Sequence, residues 1–165
     1  MFKHSHVAMA IGLTLLCGGT VASAQVAATS AVASSAPAAD PAPRDPALKG
    51  VFDDFGGKPG LVLLMNDFMD NLVADPRTKP YFENADRKHI KSELVDQFCV
   101  ILDGPCTYTG KDMKASHAKL GLDRANFDAL VEDLQVAMNK HNIPFRSQNK
   151  LLAKLAPMHR EVETK

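Results

Sequence analysis

Beyond its apolar N-terminus the chain carries four histidines, His89, His117, His141 and His159, and two cysteines, Cys99 and Cys106. His117 has the most suggestive surroundings. It falls in a short helical stretch that stops at Lys119-Leu120-Gly121, with Met113 one turn earlier on the same face. A neutral imidazole on a short helix, facing an apolar slot between two longer helices, is what an axial haem ligand requires. A lone helical histidine is more often structural or solvated, so this spacing alone leaves both readings open. Cys99 and Cys106 would stand about 10 Å apart on a continuous helix, too far for a disulfide. Gly104-Pro105 between them ends the helix and lets the chain turn back, so in an oxidising compartment a disulfide is expected, clipping the loop before His117. The remaining alternative is a buried thiol at Cys99 and an exposed one at Cys106. No Ser/His/Asp or metal-binding Cys/His set stands at useful spacing, and Asp53-Asp54 reads as a solvated turn, which speaks against a hydrolase.

The elements that must position these groups read as helices. Leu64, Met65, Phe68 and Leu72 recur at helical spacing from Leu61, with Val73 on the same broad face. Asp75-Pro76 and Pro80 bracket a turn that ends in Tyr81-Phe82. Asp86 is placed to cap a helix whose apolar ladder is Ile90, Leu94, Phe98 and Leu102. A short helix runs from about Met113 to Leu120 and stops at Gly121. Asp123 caps the next, with Phe127, Leu130, Val131, Leu134 and Met138 on one stripe. Ser147 is read as the cap of the last helix, which carries Leu151, Leu155, Met158 and Val162 and should kink at Pro157. No alternating strand pattern competes, so the fold class is all-α, either a bundle or a globin-like packing.

The first residues belong to neither. Lys3, His4 and His6 precede an apolar stretch from Val7 through Leu16, and Ala22-Ser23-Ala24 follows. This is the pattern of a secretory signal peptide cut after Ala24; the run is too short and too glycine-broken for a good membrane span. Residues 25–47 are almost all Ala, Ser, Val and Pro, a composition with little to bury, and read as a disordered tether. The working domain is then 48–165, exported, most simply to a periplasm, where disulfides persist. The whole chain has 165 residues, 19 basic and 19 acidic; that balance excludes an ordinary nucleic-acid binder.

Several motifs occur together and in order. Phe55-Gly56-Gly57 with Pro59 is followed by Asp67-Phe68-Met69, Val73-Ala74-Asp75-Pro76 and Tyr81-Phe82. Then come Gly104-Pro105, Tyr108-Thr109-Gly110, Met113-Lys114 with His117, Phe127-Asp128 and Leu155-Ala156-Pro157. This ordered set, spanning nearly all of residues 50–163, resembles the group I truncated haemoglobins. The resemblance implies a two-over-two helical sandwich holding one haem b. No Cys-x-x-Cys-His occurs, so c-type attachment is not expected. His117 carries over as the proximal ligand and Phe82 as the ring packed on the haem. Phe98, Met113, Phe127, Leu134 and Met138 would line the pocket. Tyr108 and Lys91 would reach the propionates, although Lys91 reads equally as a solvated surface lysine.

The chain departs from the family's pattern on the distal side. Where many group I members place a tyrosine it has Met69, and its distal helix presents Ile90 and Leu94. Bound O₂ gains from a hydrogen-bond donor, so weaker O₂ retention and faster autoxidation are expected. Met69, through its thioether, and His89, beside Ile90, are the candidates for a sixth iron ligand; Glu93 at the pocket edge reads as solvated. The resemblance implies diatomic gases (O₂, CO, NO) as ligands of a monomer that contacts neither nucleic acid nor, once processed, membrane. Oxygen binding or transport and NO-related redox chemistry follow by analogy. So do NO dioxygenation, nitrite reduction and a peroxidase-like reaction, with an electron-donating reductase as a second partner. A sensor or electron carrier with six-coordinate iron, or a haem-free helical interaction module, would use the same fold differently.

Overall fold

The computed structural model describes residues 40–165. The signal peptide, Cys17 and most of the tether lie outside the described residues. Among the described residues the regular elements are all helical. They are α1 (Lys49–Asp54), α2 (Gly57–Ala74), α3 (Lys79–Phe82), α4 (Arg87–Ile101), α5 (Met113–His117), α6 (Arg124–Lys140), α7 (Phe145–Leu155) and α8 (His159–Val162). Short 3₁₀ turns at Pro46–Leu48 and Ala156–Met158 complete the set.

Local chemistry sets the helix boundaries. Gly56 and Gly57 adopt φ of 73° and 62°, a left-handed conformation that glycine tolerates without steric cost, and this corner launches α2. Leu61, Leu64, Met65, Phe68 and Leu72 then bury one face. Asp86 caps α4 as the sequence predicts, its carboxylate accepting from the His89 N–H at 3.0 Å. That helix closes in a Schellman arrangement, with Asp103 at φ 60° and the Gly104 N–H donating to the Cys99 carbonyl at 2.7 Å. The Cys99–Cys106 disulfide is formed across this turn, with the Cα atoms 5.8 Å apart. Asp123 and Asn126 form a complete capping box on α6.

Three expectations are corrected. Pro144, not Ser147, stands at the start of α7; Ser147 is buried inside the helix, and its hydroxyl donates to the Asp54 carboxylate, tying α7 to α1. The helix that carries His117 ends at that residue rather than at Leu120. The tether is also shorter than composition suggests, because residues 40–47 lie on the domain. Ala42 is buried, Arg44 donates to the Gly104 and Cys106 carbonyls, and Asp45 pairs with Lys154 at 2.6 Å. A segment of small residues brings little apolar area, so hydropathy misses an attachment made by backbone carbonyls and one guanidinium.

α2 is the central element and packs against both α4 and α6, which gives the sandwich its two layers. The main core runs through all three helices, with Leu61, Leu64, Leu72, Ile101, Leu134 and Met138 essentially inaccessible. Each such side chain contributes about 1.5–3 kcal/mol by leaving water. A satellite core of Met113, Leu122 and Val162, with Tyr81, Phe127 and Met158 against it, joins α5 to α8. Pro157 lies in the 3₁₀ turn between α7 and α8, where its missing N–H interrupts the long helix that the apolar ladder alone would continue.

Candidate functional site

The three long helices do not close completely on one another. Between them, α3, α5 and the segment around α8 lies a cavity of about 660 Å³, within the range of small-molecule and cofactor pockets. Its wall comes from Phe68 and Leu72 of α2, Phe82 of α3, Ile90, Leu94 and Phe98 of α4, and Phe127, Leu130 and Leu134 of α6. Met113 and His117 of α5 and Leu155, Met158 and Val162 complete it. The lining is thus mostly aliphatic and aromatic, with the His117 imidazole set among these groups.

The His117 ring is fixed by its own helix. Nδ1 stands 2.7 Å from the Met113 carbonyl oxygen. A carbonyl only accepts, so Nδ1 is the donor, and in the neutral ring Nε2 is the nitrogen with the free lone pair. This is the state in which a histidine ligates a metal, with the carbonyl holding ring orientation and basicity. The helix is itself held in place. The Asp112 carboxylate accepts from the Ala115 N–H at 2.6 Å, and Met113 is anchored in the satellite core.

Polar groups gather at the edge of the cavity. His89, Glu93, Tyr108, Thr109 and Lys111 all contribute to the lining. The Glu93 carboxylate lies against Gly110, where a Cβ would overlap it. The Tyr108 hydroxyl donates to the Lys111 carbonyl at 2.8 Å. Burial, reinforced by the charges of Glu93 and Asp112, pushes the Tyr108 phenol above its usual range, so it stays a protonated donor.

Of the twelve residues expected from sequence to hold or contact the cofactor, the structure brings nine to this cavity: His117, Phe82, Ile90, Leu94, Phe98, Tyr108, Met113, Phe127 and Leu134; His89 and Glu93 line it as well. Three lie elsewhere. Met69 is buried in the main core, because each helical residue turns about 100° from the last and Phe68 and Leu72 hold the positions facing the cavity. Lys91 is turned from Ile90 in the same way; its ammonium donates to Asn66 Oδ1 at 2.7 Å, linking α4 to α2. Met138, one turn beyond Leu134, is wholly inside the core. Sequence reasoning missed Phe68 and Leu72 as liners, although their i, i+4 spacing marks one face. It also missed Gln97, which shares the face of Ile90 and Leu94 at i+7 and i+3 but is polar, and Lys111, which lies in a loop without a periodic signal.

These residues fit a haem. The His117 imidazole on this apolar wall, even with His89 at the rim, is too small a ligand set to hold a bare ion. It suits a metal that arrives inside a flat apolar macrocycle, whose acidic edge would meet Lys111, His89 and the Tyr108 hydroxyl at the rim.

A family model of bacterial-like globins matches residues 50–164. Among curated proteins, a group 1 truncated hemoglobin of Tetrahymena thermophila is 31% identical over 90 residues, covering 54% of this chain and 74% of that protein. The group 1 truncated hemoglobin GlbN of Mycolicibacterium paratuberculosis is 26% identical over 114 residues, covering 69% and 84%. Among solved structures, the truncated hemoglobin of Tetrahymena pyriformis in its Fe(III) form superposes with a TM-score of 0.66 at 24% identity, over 70% of this chain and 98% of that one. The 2/2 hemoglobin of Synechococcus, solved in the cyanomet state, gives 0.64 at 21% identity, with the same coverage. The chain therefore belongs to the bacterial-like globins, a family of haem-binding, gas-binding proteins. Within that family it is a group 1 truncated haemoglobin.

Proposed function

We propose that this chain is an exported haem b protein that binds diatomic gases at an iron held by His117. The observation that carries the reading is the His117 imidazole in the wall of an apolar cavity, its Nδ1 tied to the Met113 carbonyl and its Nε2 left with a lone pair. Phe82 would pack on the macrocycle, and Lys111 and Tyr108 would meet its carboxylates. When bound, haem supplies an iron able to take a gas or exchange an electron. The chain's part is to hold and orient the cofactor and to exclude water from it.

Ile90 and Leu94 of α4, with Phe68 and Leu72 of α2, make the distal wall apolar. Such a wall offers no donor to bound O₂, and favours ligands that depend less on one, CO and NO. The N-terminal signal pattern supports export to a periplasm, with the folded domain working as a monomer that takes electrons from a reductase. Oxygen transport and NO-related redox chemistry are the activities this arrangement serves.

Absorption spectra of the purified, haem-supplied protein in the ferric, ferrous and CO-bound forms test the assignment. A Soret band that shifts on reduction and again on CO addition is expected. Its absence would leave the haem-free interaction module as the surviving reading. A six-coordinate ferric spectrum would favour the sensor or electron carrier, with His89, which lines the cavity, as the sixth ligand.

A further inference from the structure

Residues 41–44 precede the family-matched span 50–164, yet they connect to the cavity wall. Ala42 is buried in the main core. Arg44 donates through Nη1 to Asp103 Oδ1 at 2.9 Å and to the Gly104 carbonyl at 3.0 Å, and through Nη2 to the Cys106 carbonyl at 3.0 Å. Both carbonyls flank Pro105 in the turn closed by the Cys99–Cys106 disulfide. That turn is tight: a Cβ on Gly104 would lie 2.7 Å from Cys99 Sγ and from the Phe52 ring. A guanidinium is a rigid planar fork, and it seats on several acceptors only where those acceptors are held still.

The other end of the segment meets Gln97, a buried carboxamide on α4 that lines the cavity. Its nitrogen has two hydrogens to place. One goes to the Pro41 carbonyl at 2.6 Å and the other to Met113 Sδ at 3.7 Å. Met113 opens α5, and its own carbonyl accepts from His117 Nδ1. α5 has five residues, far too few to sustain a helix unaided, so its placement comes from whatever grips it.

We propose that residues 41–44 form a strap that positions the proximal histidine, acting through Gln97 and Met113 and anchored by Arg44 on the disulfide-closed turn. The proposal rests on His117 as the iron ligand. Arg44 and Gln97 are positioning residues. Without Arg44 the strap loses its hold on the turn and the Pro41 carbonyl leaves Gln97. The carboxamide then reorients, Met113 shifts, and the bond from Nδ1 that sets the imidazole's basicity weakens.

The test uses the full chain with Arg44→Ala and, separately, Gln97→Leu. Two signals are read: the His117 Nδ1 resonance by ¹⁵N NMR in the cofactor-free protein, and the iron–histidine stretching band of the ferrous, haem-loaded protein by resonance Raman. Both variants should shift the Nδ1 resonance and move the stretching band to lower frequency. Lys58→Ala, which removes the ion pair from α2 to Asp96 of α4 without touching the strap or the Gln97 carboxamide, should change neither. A lowered Tm with both signals unchanged would overturn the strap and leave residues 41–44 a merely structural attachment. Arg44 is an exposed side chain, so Arg44→Ala decides the matter should Gln97→Leu not fold. A wild-type chain that takes up no haem would end the reading of His117 as a ligand, while the Nδ1 resonance would still decide whether the strap positions the ring.

Discussion

At the residue scale the proposed haem site depends on two choices of side chain. The first is His117, whose role needs one nitrogen donated inward to a carbonyl and the other left with its lone pair. His117→Gly should abolish the ferrous five-coordinate spectrum, and added imidazole should restore a large part of it; an unaltered spectrum would move the proximal ligand elsewhere. The second is the pair Ile90 and Leu94. Replacing Leu94 by Gln supplies a donor to bound O₂, a hydrogen bond of about 1 kcal/mol, so stopped-flow measurement should show O₂ leaving roughly fivefold more slowly. An unchanged off-rate would mean that the distal face is not where α4 puts it. The placement of His117 one turn from Met113 was legible in sequence because the motif is local, both residues lying on a single short helix. Met69, Lys91 and Met138 were misplaced because a one-residue step on a helix turns a side chain by about 100°, and a sequence match does not say which neighbour takes the inward position.

At the scale of elements, capping groups and one covalent link hold the short pieces that carry function. The capping box at Asp123 starts α6, which supplies Phe127, Leu130 and Leu134 to the cavity. Asp123→Ala should cost about 0.5–2 kcal/mol, seen as a drop of a few degrees in Tm. The disulfide closes a short loop, worth about 2–3 kcal/mol in the chain-entropy picture. Titration of the unfolded, unreduced protein should find no thiol from Cys99 or Cys106. Any single reactive thiol would come from Cys17 and report that the N-terminal segment had been kept. Asp86 and Asp123 were identifiable as caps because an N-cap is a contract between near neighbours. Ser147 was not excluded as one because its partner, Asp54, lies 93 residues away in the chain.

Across the whole molecule, three carboxylates make the fold sensitive to acid. Lys140, joined by His141, holds Asp67 below its usual 3.8; the Lys154 bond does the same for Asp45 and the Arg77 bond for Asp75. A depressed folded pKa gives stability that is present above the unfolded value and is lost as pH falls through the folded one. Asp133 has the opposite sign. Burial raises it despite the Thr78 hydroxyl at 3.1 Å, so its contribution is greatest in acid and is lost as pH rises through its folded pKa. As the three lowered carboxylates take up protons their ion pairs are lost, and Tm should hold near neutrality and fall below about pH 4. Asp67→Asn should make that fall shallower; an identical acid profile would show that the Lys140–Asp67–His141 cluster joining α2 to the end of α6 does not contribute.

By itself the sequence determined what short-range physics can determine: helical periods, caps, the glycine corner at Gly56-Gly57, the break at Gly104-Pro105 and the ordered motifs that mark the family. The tertiary structure alone decided which face of α2 meets the cavity, where Lys91 finds its partner, and that a proline- and alanine-rich segment lies on the disulfide turn. The reason is common to all three. Such outcomes depend on backbone carbonyls and side-chain partners far away in the chain, and neither hydropathy nor spacing encodes where a carbonyl will point once helices have packed.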